Sequence, residues 1–183
     1  MEILVIVVCI AIPLGVYFWR ESRYRNPASR WPRLADLLGL QFQPDPPRIV
    51  GSWKDRKMAL TAVQEGERMA AVLMTPLNPK HQLRVEVGPR EQIEKASGMV
   101  VPDRVTFNDP EFEARFLVRA TPPELGEAAF DHSMRRKLLG LPDLWVLAQG
   151  KQLEVRVSVP TEASEVRECM DVASSIADAI DGG

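Results

Sequence analysis

Histidine is scarce in this chain, and cysteine is not arranged for chemistry. His81 and His132 are the only histidines among 183 residues, and the two cysteines, Cys9 and Cys169, stand near opposite ends. No C-x-x-C or H-x-x-x-H pair occurs, so the usual zinc sites lack ligands and no metal site is expected. No disulfide framework can form from two such distant thiols. Glycines are dispersed: apart from Gly182-Gly183, no two lie closer than ten residues. Phosphate-cradling loops need clustered glycines to let the backbone approach the ligand, so P-loop and dinucleotide fingerprints are excluded and no cofactor is expected. The nucleophile-elbow pattern G-x-S-x-G is also absent. Asp131-His132-Ser133 has the composition of a triad but not its geometry. Consecutive helical residues point ~100° apart, so the three cannot form a relay and read as surface polarity. No basic stripe with interleaved aromatics exists to suggest nucleic acid.

Charge is balanced in total, with 23 Lys+Arg against 25 Asp+Glu, but not in distribution. Residues 1–19 carry one charged side chain, Glu2; residues 20–36 carry five arginines against two acids, a net of +3; the remainder is net −4. The apolar tip contains 17 consecutive uncharged residues, Ile3 to Trp19. As a helix it would measure about 26 Å, close to the ~30 Å hydrocarbon core. Tyr17 and Trp19 suit the headgroup layer, and Arg20, Arg23 and Arg25 form a basic collar immediately behind. A cleaved signal peptide would carry its basic residues first and small residues after, the reverse of this order. The expectation is a single transmembrane anchor over 1–24, its collar starting at Arg20, followed by a hinge over 25–30 and one domain over 31–183. Because the flanking arginines all follow the span, the N-terminus should face outward and the domain the cytoplasm of a bacterial inner membrane. The lipid bilayer is then one partner. Ala11 and Gly15, spaced i and i+4, offer a small-residue face to a second helix and so point to other integral membrane subunits.

The body alternates helical and strand patterns. "WPRLADLLGL" places Trp31, Leu34, Leu37 and Leu38 on one helical face, with Pro32 in the first turn and Gly39 as the stop. "QPDPP" reads as a turn. "RIVGSW", "KMALTAVQ" and "ERMAAVLMTP" read as strands of a meander, and "HQLRVEV" as a strand that buries Leu83, Val85 and Val87 and exposes Arg84 and Glu86. "REQIEKA" predicts a short helix. One helical region is predicted from a Thr121 cap to Gly140, then a hairpin across Gly150-Lys151. A last helix from Thr161 carries Ala163, Val166, Met170, Ala173, Ile176, Ala177 and Ile180 on one stripe. "LLGL" occurs at 37–40 and at 138–141, which predicts two helix ends capped alike. The fold class is α+β, an antiparallel sheet with helices packed on one face.

"FNDPEFEARF" interleaves aromatics with acids and makes Phe107, Asp109, Glu111 and Glu113 candidate partner contacts. The competing reading is an Asp109-capped turn whose phenylalanines enter the core. In plan alone (outside N-terminus, one span, basic collar, strand-rich body) the chain resembles the H-type subunit of purple-bacterial photosynthetic reaction centres. That resemblance carries no residues over. It implies a non-enzymatic accessory or scaffolding subunit that caps or steadies a larger membrane complex, of photosynthetic or respiratory type. The rival expectations are a membrane-tethered enzyme and a small-ligand or lipid-binding regulatory domain.

Overall fold

A computed structural model describes residues 26–66, 68–79, 81–95, 102–141 and 143–182. The predicted anchor and collar, including Ala11, Gly15, Tyr17, Trp19, Arg20, Arg23 and Arg25, lie outside the described residues. Among the described residues no helix is long and apolar enough to cross a membrane.

The segment expected to be a hinge is helical from Pro27. Asn26 adopts an extended conformation and its side-chain oxygen accepts from the Ala28 N–H at 3.0 Å, starting α1 (Pro27–Leu38) with proline in its first turn. Pro32 therefore sits inside the helix rather than at its start. Beside it Trp31 is fully buried and donates its indole N–H to the Pro160 carbonyl at 3.2 Å, fastening the helix to that distant segment. The buried stripe is Trp31, Leu34 and Ala35, while Leu37, expected on that face, is 62% exposed. Gly39 ends the helix at φ 67°, with Leu40 N–H bonded to Ala35 O and Gly39 N–H to Asp36 O. This is the Schellman arrangement its sequence predicts.

Among the described residues nine strands form one sheet in the order β1-β2-β3-β4-β9-β8-β5-β7-β6, every neighbouring pair antiparallel. They are β1 (Gln41–Pro44), β2 (Pro47–Trp53), β3 (Arg56–Glu65), β4 (Arg68–Pro76), β5 (Arg84–Pro89), β6 (Asp103–Val105), β7 (Phe116–Thr121), β8 (Trp145–Gln149) and β9 (Gln152–Ser158). The β2–β3 turn uses Lys54 and Asp55 at φ 47° and 63°. Two consecutive positive φ values match the right-handed twist of the flanking strands. Both edges are short, four residues at β1 and three at β6, which limits unpaired backbone.

One face of the sheet is the core. Leu60 and Leu73, Leu73 and Val155, Val155 and Val146, Val146 and Val87, and Val87 and Val118 are successive cross-strand partners, all buried. Against this face lie α1, α4 (Pro123–Ala129) and α6 (Ala163–Gly182). The α6 stripe is as predicted from Val166 to Ile180, and Cys169, Val172 and Ser174 widen it. Arg56 ties the sheet to the last turns of α6 through Asp178 and Asp181, each at 2.7 Å. The smaller α2 (Arg90–Lys95) lies on the reverse face. Gly88 points away from the core, and a Cβ there would meet Ile93 Cδ1 at 3.4 Å. The long helices thus share one face, with α2 on the other.

Two further expectations are corrected. The region 121–140 is two helices, α4 and α5 (His132–Leu139), preceded by α3 (Pro110–Arg115). Thr121 does not cap α4. It ends β7, opposite Arg84, and Pro122 fills the cap position without a side-chain bond. Asp131 starts α5 afresh by accepting from Met134 N–H at 2.7 Å. The two "LLGL" ends also differ, because Gly140 is right-handed at φ −74° whereas Gly39 is left-handed. After Gly140 the chain tightens into i→i+3 bonds, Gly140 to Lys137 and Leu141 to Leu138.

Candidate functional site: the uncovered sheet face

Strand alternation that buries Leu60, Leu73 and Val155 turns their neighbours to the opposite side. On β3 and β4 these are Ala59 opposite Met74, Thr61 opposite Val72, Val63 opposite Ala70, and Glu65 opposite Arg68. Arg156 on β9 lies opposite Val72, and Val50 on β2 opposite Ala59. The result is a platform with an apolar middle. Met74 is 41% exposed there, and Arg48, Lys57 and Arg68 stand exposed around it. Among the described residues the platform's two carboxylates are bound by one cation: Arg156 meets Glu65 at 2.8 Å and Glu154 at 3.6 Å. Among the described residues Lys57 and Arg68 form no ion pair.

Arg156 links the platform to a polar ladder over β8 and β5. Its guanidinium lies 5.3 Å from the Trp145 ring centroid, a cation–π distance. Trp145 donates its indole N–H to Glu86 at 3.2 Å, and Arg84 reaches the same carboxylate at 3.6 Å. Glu86 is only 7% exposed. Gly88 makes room for this arrangement, since a Cβ there would come within 2.5 Å of Trp145 Cδ1. Arg119 faces Glu86 from β7. The Nε groups of Arg84 and Arg156 are buried without a hydrogen-bond partner.

Two of the partly open cavities elsewhere have apolar walls. One of about 290 Å³ is walled by Leu144, Val157, Val159 and Cys169 near the start of α6. Its acids are already engaged: Asp143 accepts from Ser158 at 3.1 Å, and Glu165 accepts from Thr161 N–H at 2.7 Å. Burial pushes the Cys169 thiol up to about 12, with the Glu168 charge adding to it, so it is not a nucleophile. The second cavity, of about 310 Å³, lies between α4 and the end of α6 and is lined by Leu83, Leu125, Ala128 and Ile180, with His81 and Glu124 at hand. Among the described residues no group of three or more His, Cys, Asp or Glu side chains is placed to hold a metal ion.

The acidic aromatic stretch is largely engaged within the fold. Phe112 and Phe116 are buried and stacked at 5.3 Å, and Phe107 meets Phe112 edge-on at 5.8 Å. Asp109 caps α3 by accepting from Phe112 N–H and pairs with Arg135 at 3.0 Å, holding its carboxyl below the usual range. Glu111 pairs with Arg136, and Glu113 accepts from Phe107 N–H at 2.7 Å. His132 sits exposed in the first turn of α5 beside its cap Asp131, apart from the ladder. Sequence reading had no signal for the ladder beyond alternation, and alternation marked Arg84 and Glu86 as solvent-facing. The burial of Glu86 depends on Trp145, some sixty residues distant.

In fold the chain is similar to the crystal structure of the mycobacterial trehalose monomycolate transport factor A. The TM-score is 0.61 at 12% identity, covering 85% of this chain and 94% of that one. At that identity the likeness is one of fold. No family model and no curated protein matches the sequence.

Proposed function

We propose that this chain is a membrane-anchored, non-enzymatic accessory subunit that caps or stabilises a larger integral membrane complex from the cytoplasmic side. The observation that carries the reading is continuity. The helix capped by Asn26 follows in the sequence directly behind the arginine collar and the uncharged run of 17 residues. A domain joined there is held at the bilayer surface, with one broad strand face left open for contacts among the described residues.

The test is made on the full chain in membranes. Alkaline carbonate should leave it in the membrane pellet, and a C-terminal alkaline-phosphatase fusion should be inactive because it stays in the cytoplasm. Mild detergent should recover defined integral membrane partners. Gly15→Leu should weaken that association by about 1–2 kcal/mol, because helix contact in lipid depends on close packing. Release by carbonate, or an active phosphatase fusion, would sink the anchoring. A partner set indifferent to Gly15→Leu would remove the proposed helix contact.

A further inference from the structure

The chain enters the domain near the end of the platform that carries Arg68, while Lys57 and Met74 stand at the other end of the same strands. α1 is fastened near its start to the segment that follows β9, through the Trp31 to Pro160 bond. The last residue of β9, Ser158, pairs with Ala70 on β4, two residues from Arg68. Six residues lie between Trp19 and Asn26, and the seven steps across them reach at most ~25 Å. The platform's exposed cations run against the sign of the chain, whose residues 37–183 are net −4. Glu65 and Glu154 are both taken by Arg156, so among the described residues the uncommitted charge of the platform is positive. An apolar centre with cationic margins is the pattern that adsorbs to an anionic lipid surface.

We propose that the platform on β2, β3, β4 and β9 docks on anionic phospholipid headgroups of the membrane that holds the anchor. The proposal rests on the anchoring reading for its geometry. Val50, Ala59, Val63 and Met74 face the headgroup layer, while Arg48, Lys57 and Arg68 draw in its phosphates. The attraction falls off within a Debye length, about 8 Å at physiological salt, so only a tethered face so close to the bilayer would use it well.

The experiment places the full chain, carrying Cys9→Ser, in nanodiscs of phosphatidylcholine alone or mixed with phosphatidylglycerol. A fluorophore is attached at Met74→Cys or, as the opposite-side control, at Leu37→Cys on α1; buried Cys169 stays unlabelled. Headgroup-quencher lipids should quench the Met74 probe in phosphatidylglycerol discs and leave the Leu37 probe bright. Lys57→Gln and Arg68→Gln should each lower the docked-to-undocked ratio about fivefold, and high salt should abolish the difference. Equal quenching at the two positions, or quenching indifferent to phosphatidylglycerol, overturns the docking. So does a platform that responds only when an acidic protein partner is added, although that outcome leaves the accessory role standing. A chain that never enters the discs refutes the anchor instead. Sedimentation of that same chain with phosphatidylglycerol vesicles then decides docking alone, and failure to sediment overturns it.

Discussion

Gly126→Ala should destabilise the protein, against the ordinary rule for helices. In an exposed helix interior, replacing glycine by alanine stabilises by about 1 kcal/mol, because glycine loses more backbone freedom on folding. Gly126 lies inside α4, where that helix meets β7 and β6. A Cβ at this position would stand 2.8 Å from Ala120 Cβ and 2.9 Å from Val105 Cγ2. Neither neighbour is the end of a flexible side chain. Ala120 Cβ is fixed to the backbone of a central core position, and Val105 is stiff at χ1. Relief requires α4 to lift from the sheet, and overpacking of this kind costs about 1–3 kcal/mol before the propensity gain is subtracted. The net expectation is a loss of up to about 2 kcal/mol, or a fall in Tm of up to about 8 °C for a chain of this size. Gly182→Ala is the control, since nothing lies within 4 Å of a Cβ there and only helix propensity acts. Thermal unfolding followed by circular dichroism compares the two. A Tm for Gly126→Ala at or above that of the parent would refute the reasoning.

Ile176 is fully buried in the α6 stripe, so Ile176→Asp should cost about 3–5 kcal/mol, read from the denaturant midpoint; an unchanged midpoint would show that α6 is peripheral. The Arg135 hydrogen bond, only partly opposed by desolvation, holds the Asp109 carboxyl below its ordinary 3.8, with help from Phe112 N–H. Its contribution to stability is therefore present above pH 3.8 and lost as pH falls through the lower folded value, because the unfolded chain binds the proton first. Asp109→Asn should flatten that part of the Tm–pH profile, and a profile unchanged in slope would show that the pair does not act. Cys169 should resist maleimide in the folded Cys9→Ser protein and react only as the chain unfolds, because it is 2% exposed and its thiol is pushed up to about 12. Rapid labelling under native conditions would contradict the buried placement.

What the chain's own pattern determined is mostly local. Gly39 needs φ 67° and Gly150 needs φ 57°, and both mark stops and turns where the sequence puts them. The stripe from Val166 to Ile180 names the buried side of α6, because helical period and burial are the same fact read twice. The break at Phe130 was also written locally, in Asp131 as a cap, but the apolar residues on both sides concealed it. Tertiary structure decided the rest. β4 pairs with β9 and β8 with β5, partners far apart in the chain, and nothing local encodes which strands become neighbours. That choice sets Trp145 over Gly88 and beside Glu86, so a residue patterned for solvent is buried. It also decides that β2, β3, β4 and β9 gather Arg48, Lys57 and Arg68 onto one uncovered face. Alternation tells each strand which residues share a side, but only the assembled sheet puts those sides next to one another.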